Sequence, residues 1–143
     1  MNANLWLAAI AASVTLSCTA APPETATLKL AGTQLLLEEQ GAVCYLKNIK
    51  DGKRTGSAIS LGIPAPCAFH KDKAGKVRMI RKGKYDYALV ESSKRVGNGT
   101  ECETHLRSVR ADDKQFQISQ HKDKVASCPP FQWESMSFTE LFD

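Results

Sequence analysis

Apolar and polar residues alternate along much of this 143-residue chain, in short runs separated by turn-forming residues. The alternation is clearest in residues 76–79, 101–108 and 115–119, and residues 28–37 and 85–90 are further strand candidates. In a β-strand, such alternation places apolar side chains on one face and polar side chains on the other. The pattern therefore predicts a mostly β fold, a small antiparallel sandwich or barrel.

Helix has little room in this pattern. Residues 33–40 are the best interior helix candidate, because Gln, Leu and Glu are good helix formers, but they equally fit a buried strand. Residues 135–142 favour a short C-terminal turn or strand that packs Phe138, Leu141 and Phe142 on the core. We expect at most one or two short helices in a single domain that spans residues 28–143, a length sufficient for one core.

The first twenty residues differ from the rest because none of them is charged. Residues 5–16 form an apolar run that is too short for a transmembrane helix of about 20 residues. Its length matches the hydrophobic region of a secretory signal, and small residues follow it. We expect a signal peptide over residues 1–20 and a tether rich in Pro, Ala and Thr over residues 21–27.

Residues 14–18, Val-Thr-Leu-Ser-Cys, resemble the signal region of bacterial lipoproteins, in which a small residue precedes a lipidated cysteine. The resemblance covers this segment alone, with Thr15 where the family usually has Leu and with no basic residue before it. It implies that Cys18 is lipidated and becomes an N-terminal membrane anchor. Plain secretion with cleavage after Ala20, or a buried N-terminal helix of the mature protein, are the alternatives.

Four further cysteines form an even set, as two disulfides require: Cys44, Cys67, Cys102 and Cys128. None lies in a CxxC motif or at zinc-finger spacing from a histidine. Four cysteines allow three connectivities. The chain contains two similar stretches, each with a strand, an acidic turn with lysine, a strand and a cysteine, so we favour Cys44–Cys67 and Cys102–Cys128. Signal and disulfides together indicate an oxidising compartment, with the protein in the periplasm or anchored at the outer membrane.

Sequence motifs for catalysis are absent, since no P-loop, GxGxxG, HExxH or GxSxG occurs. His70 and His121 each precede Lys-Asp-Lys, which we interpret as solvated turns. His105 shares a strand face with Glu101 and Glu103, which we interpret as an exposed charged face. The alternatives are a metal or anion site at His70 and His121, and a weak metal site or a hydrolase site at His105 with Glu101 or Glu103. We expect no catalytic residue, no cofactor and no metal.

Positive charge is concentrated in one segment. The whole chain carries +4, whereas residues 47–95 contain 13 basic and 4 acidic residues, a net charge of +9. If residues 71–84 form a hairpin, basic side chains lie along one strand face and in its turns, and we call them the basic stripe: Lys73, Lys76, Arg78, Lys82 and Lys84. Such a stripe attracts an acidic protein surface or an anionic envelope polymer. A solvated edge that deters aggregation is the alternative.

These features predict an exported envelope binding protein without catalytic activity. Its specific form would be an inhibitor of an envelope-attacking enzyme or an immunity protein against a toxin. A structural or assembly lipoprotein that binds an anionic envelope polymer is the alternative, and a small hydrolase is a third. Nucleic acid is not expected as a partner, because the chain is exported and no aromatic residues interleave with the basic ones. Membrane contact would come from a lipid anchor at Cys18.

Overall fold

The computed structural model describes residues 26–143, where the chain forms nine β-strands and a short C-terminal helical segment. The expected signal peptide, the lipidation site Cys18 and most of the tether lie outside the described residues. β1 begins at Ala26, two residues before the start that we expected for the domain. The mostly β, antiparallel architecture with two disulfides confirms the predicted fold class.

Two antiparallel sheets contain all of these strands. The first sheet has the order β1-β2-β3-β4, and the second has the order β5-β7-β8-β9 with β6 also paired to β7. The strands are β1 (Ala26–Leu30), β2 (Thr33–Gln40), β3 (Val43–Lys50), β4 (Lys53–Pro64), β5 (Ala68–Phe69), β6 (Met79–Lys82), β7 (Tyr85–Arg95), β8 (Cys102–Ala111) and β9 (Phe116–Val125). Within residues 26–143 no helix is long and apolar enough to cross a membrane.

Residues 28–37, which the pattern predicts as one strand, belong to two. Ala31 and Gly32 both have positive φ, at 46° and 85°, and form the two-residue turn between β1 and β2. Of the two alternatives for residues 33–40, the strand is the one that forms. Leu35 and Leu37 both face the core, as the two-residue period of a strand requires, and this burial outweighs the helix propensity of the segment.

The main core lies between the two sheets. Leu35, Leu46 and Ile63 enter it from the first sheet, and Val90 and Val109 enter it from the second. The predicted alternation in β8 is confirmed, because Cys102, Thr104, Leu106 and Ser108 are all buried on the opposite face of this strand, away from the main core. The apolar side chains of the core supply most of the free energy of folding, at about 25 cal/mol per Å² of apolar surface removed from water.

A second apolar cluster covers the outer face of the second sheet. Tyr87, Leu89 and Leu106 pack there against Trp133 and Phe138 from the C-terminal segment. β7 is therefore buried on both faces, which explains its continuous apolar run. The C-terminal segment forms α1 (Ser135–Thr139) and a 3₁₀ turn (Glu140–Phe142), where we expected a turn or a strand.

Both favoured disulfides are confirmed. Cys44 of β3 is joined to Cys67 after β4, and Cys102 of β8 is joined to Cys128 after β9. Each bond ties the beginning of a hairpin to the chain that leaves it. Two disulfides are consistent with an exported protein in an oxidising compartment.

Candidate functional site

The fold divides the basic stripe. Lys73 and Lys76 lie in the loop between β5 and β6, because β6 begins only at Met79. A bridge between Lys71 and Val77 closes this loop. Inside it, a carboxylate oxygen of Asp72 accepts hydrogen bonds from the backbone N–H groups of Ala74 and Lys76. The expected strand over residues 76–79 is therefore wrong, since this side-chain turn replaces its first part.

Arg78 does not belong to an exposed stripe. Its Nη1 donates a hydrogen bond to the backbone carbonyl of Trp133. Its guanidinium carbon lies 5.3 Å from the centre of the Phe138 ring, a cation–π arrangement. The side chain is half-buried between the second sheet and the C-terminal segment. Arg78 therefore attaches that segment to the sheet, and only the tertiary contact takes it out of the stripe.

Lys82 and Lys84 lie at the other end of β6, around the turn that leads into β7. Lys84 Nζ is 3.6 Å from Asp112 Oδ2 and 4.9 Å from the centre of the Tyr85 ring. A hydrogen bond to Tyr85 and the nearby Asp112 carboxylate both raise the pKa of Lys84. Lys82 is exposed and has no carboxylate oxygen within 4.0 Å among the described residues.

We call Lys71, Lys73 and Lys76 the basic loop. All three side chains are exposed, and across residues 26–143 none has a carboxylate oxygen within 4.0 Å of its ammonium group. Two acids lie at the loop and are engaged by other groups: Asp72 accepts the backbone hydrogen bonds of Ala74 and Lys76, and Glu91 lies beside a buried histidine. The positive charge of the basic loop therefore remains largely uncompensated.

The buried histidine is His70, which we had expected in a solvated turn. That interpretation is wrong, because only 1% of His70 is exposed. Its Nδ1 lies 3.3 Å from Glu91 Oε2, which also accepts a 3.0 Å hydrogen bond from Trp133 Nε1. The His70 ring meets Phe138 edge-on, with 6.1 Å between ring centres. Sequence reasoning missed this cluster because its members come from distant parts of the chain.

A cavity of about 520 Å³ lies beside this cluster and the basic loop. Lys71, Lys73 and Gln132 line it together with Pro129 and Pro130, and so do Asp72 and Glu91, whose carboxylates already accept hydrogen bonds within the protein. The basic loop therefore borders a concave surface rather than a flat one. A partner with a protruding acidic group can place that group between the two lysines and the C-terminal segment.

His105 lies in a second concavity, which we call the inter-sheet groove. The groove has a volume of about 490 Å³ and runs between the end of β4 and the adjacent ends of β7 and β8. Its lining residues are Pro64, Ala65, Ser92, Lys94, Arg95, Val96, Gly97, Glu103 and His105. Glu101 is exposed before β8 and is not among them. Glu101 and Glu103, the latter with 45% of its side chain exposed, keep this face charged and exposed, as we interpreted it, whereas His105 is half-buried, with 23% of its side chain exposed, and borders the groove.

Polar contacts within the groove centre on Glu103. His105 Nε2 lies 2.8 Å from Glu103 Oε1, and Lys124 Nζ lies 3.0 Å from Glu103 Oε2. The hydrogen bonds from Lys124 and His105 lower the pKa of Glu103, so this carboxylate stays ionised. Ser92 is paired with His105 across the strands. No hydrogen bond joins Ser92 to His105 in the described part of the chain, whereas nucleophilic catalysis needs the base within hydrogen-bond reach.

Metal ligands are not gathered anywhere in the described range, since residues 26–143 contain no group of three His, Cys, Asp or Glu side chains suited to a metal ion. The two features that remain are therefore the basic loop and the inter-sheet groove. Comparison of the chain with protein-family models, with curated proteins and with solved structures found no match. Function is thus inferred from the chain's own surfaces.

Proposed function

We propose that this protein is an exported envelope binding protein without catalytic activity that recognises an acidic macromolecule through its basic loop. One observation carries the proposal: Lys71, Lys73 and Lys76 are exposed together without a carboxylate partner among the described residues. Uncompensated charge of one sign accelerates the encounter with a partner of opposite charge. The two disulfides support export.

The way the basic loop is held also favours recognition. The Lys71–Val77 bridge and the hydrogen bonds to Asp72 restrict its backbone. A restricted loop loses less conformational entropy on binding than a flexible one, so more of the interaction energy contributes to affinity. The adjacent cavity of about 520 Å³ provides a recess in which a partner side chain is removed from water.

The specific form of the proposal is an inhibitor of an envelope-attacking enzyme, or an immunity protein against a toxin. Lipidation at Cys18 would keep such a protein in the periplasm at the outer membrane, where the attacking enzyme acts. The alternative is a structural or assembly lipoprotein that binds an anionic envelope polymer through the same lysines. The recess beside the basic loop favours a folded partner, because a polymer of repeated charges does not require one.

The test is affinity capture from an envelope extract. Wild-type protein is compared with a variant in which Lys71, Lys73 and Lys76 are replaced by Glu. The control variant carries Lys29→Glu, Lys50→Glu and Lys53→Glu, which has the same charge change at exposed residues elsewhere. We expect wild type and control to recover the same acidic protein. The basic-loop variant should lose it, because three attractive charges become repulsive.

Two results would overturn the proposal. If the wild type recovers no protein, the proposal of a protein partner is refuted. If a purified anionic polymer then retains the wild type, the assembly alternative is favoured. An equal loss in both variants would show that net charge, rather than the basic loop, determines capture. We expect all variants to fold, because every substituted lysine is exposed, and circular dichroism checks this.

A further inference from the structure

Cations from three strands meet on the inner face of the second sheet, at the end where the inter-sheet groove lies. In antiparallel sheets, directly paired residues project from the same face. His105 is paired with Lys124 of β9, and Arg107 is paired with Lys122 of β9. Lys94 of β7 is paired with Glu103, which lies on the same face. β7, β8 and β9 therefore each add positive charge to this face of the sheet, and Lys94 of β7 also lines the groove.

Among the described residues that line the groove, Glu103 is the one acid. Both oxygens of Glu103 are engaged, one by His105 and one by Lys124. Among residues 26–143, Lys94, Arg95 and Arg107 have no carboxylate oxygen within 4.0 Å. These three cations therefore contribute a positive field that no described side chain neutralises.

The positive charge of Arg107 is unfavourable for the folded state. Its Nε is buried and has no hydrogen-bond acceptor within the described range. Burial lowers the pKa of Arg107, because a guanidinium loses hydration without gaining a counter-ion. An unpaired, partly buried cation is destabilising unless something else satisfies it. An anion bound nearby would relieve this desolvation.

Part of the groove lining is apolar. Pro64 and Ala65 at the end of β4 belong to it, and so does Val96 directly after β7, of which 54% is exposed. Ser92 adds a hydroxyl to the lining. The volume of about 490 Å³ falls within the range of small-molecule sites, roughly 300–1,000 Å³. Apolar lining residues, a hydroxyl and clustered cations suit a sugar ring that carries an acidic group.

We propose that the inter-sheet groove binds an anionic sugar unit, a hexose with a carboxylate or a phosphate group. The ring lies against Pro64, Ala65 and Val96. The acidic group faces Lys94, and the field of Arg95 and of the other cations adds to this attraction. The inference goes beyond the proposed function, because the groove shares no residue with the basic loop.

The first experiment titrates the full folded protein with single sugars and follows backbone amide shifts by NMR. The probes are glucuronic acid and glucose 6-phosphate, with neutral glucose and inorganic phosphate as controls. We expect at least one anionic sugar to shift amides of the residue 92–97 and 103–107 segments, at concentrations where neither control does. Tighter binding of glucuronic acid would indicate a carboxylated sugar as the ligand, and tighter binding of glucose 6-phosphate would indicate a phosphorylated one. No shift with either sugar, or equal binding of inorganic phosphate, would overturn the proposal.

The second experiment uses Lys94→Glu with Arg95→Glu. Both side chains are exposed, so the variant should fold. Loss of charge-assisted contacts should weaken sugar binding by about tenfold or more. The basic-loop variant is the matched control, and it should bind the sugar as wild type does. Unchanged binding in the groove variant would refute the site. The groove variant should still capture the protein partner, so failure of either proposal is recognised separately.

Discussion

Replacing Phe138 with Ala tests whether the C-terminal segment belongs to the same cooperative unit as the two sheets. Phe138 is fully buried in the cluster on the outer face of the second sheet. Its ring contacts the guanidinium of Arg78 and the edge of His70. Its backbone carbonyl accepts a 2.5 Å hydrogen bond from Ser108 Oγ, which the substitution leaves in place. The variant therefore removes only contacts of the ring: its apolar packing, the cation–π contact with Arg78 and the edge contact with His70.

The expected loss of unfolding free energy is large for a domain of this size. Truncation of a buried Phe to Ala costs about 3–5 kcal/mol in free energy of unfolding, because transfer energy is lost and a cavity remains. Loss of the cation–π contact with Arg78 adds about 0.5–1 kcal/mol. A small domain has only about 5–15 kcal/mol in total. The Phe138→Ala variant should thus lose a large part of its unfolding free energy at room temperature.

Urea unfolding measures this effect with two probes. Far-UV circular dichroism reports the sheets, and fluorescence reports Trp133 once Trp6, the other tryptophan, is replaced by Phe. We expect both transitions to move together to lower urea. The matched control is Met136→Ala in the same helical segment, where 60% of the side chain is exposed, and it should change stability by less than about 0.5 kcal/mol.

Two outcomes would refute this reasoning. An equal effect of Met136→Ala would show that the helical segment, rather than the burial of Phe138, determines the loss. A Trp133 transition at lower urea than the dichroism transition would show that the C-terminal segment unfolds by itself. In that case the contacts of Trp133 with Glu91 and Arg78 do not couple it to the sheets.

Two further predictions concern the covalent and ionic contacts. Cys102→Ser with Cys128→Ser opens a loop whose ends are 26 residues apart, so unfolding free energy should fall by about 3.5 kcal/mol in the chain-entropy model. Urea unfolding measures it, and wild-type stability would contradict the prediction. Arg81 lowers the pKa of Asp86, so the carboxylate stabilises the fold above its unfolded pKa of about 3.9 and loses this effect as pH falls through the lower folded value. Asp86→Asn should therefore destabilise the protein near neutral pH and little in strong acid, and a pH-independent difference would disprove this origin.

The local sequence pattern was sufficient to predict the fold class and to favour the correct disulfides. Alternation in residues 101–108 predicted which side chains of β8 are buried, because a strand has a period of two wherever one face meets a core. The even number of cysteines and the similarity of the two hairpin stretches were enough to favour Cys44–Cys67 and Cys102–Cys128. These properties depend on residues that are close in sequence.

The types and boundaries of secondary-structure elements were less predictable where two local preferences competed. Residues 33–40 fit a helix or a strand, and burial of Leu35 and Leu37 between the sheets decided for the strand. The expected strand at residues 76–79 failed because the Asp72 carboxylate binds backbone N–H groups of the same loop. Side chains that bind nearby backbone compete with strand pairing, and alternation alone does not reveal them.

Charge shows most clearly the difference between what the sequence determines and what the tertiary structure determines. Composition located the excess of basic residues between residues 47 and 95, but it treated every lysine and arginine alike. Tertiary structure paired Arg78 with a carbonyl 55 residues away, buried His70 beside Glu91, and placed His105 in a groove with Lys94 of β7. Charge is a property of each residue, whereas its compensation depends on neighbours that only the folded chain brings within a few ångströms.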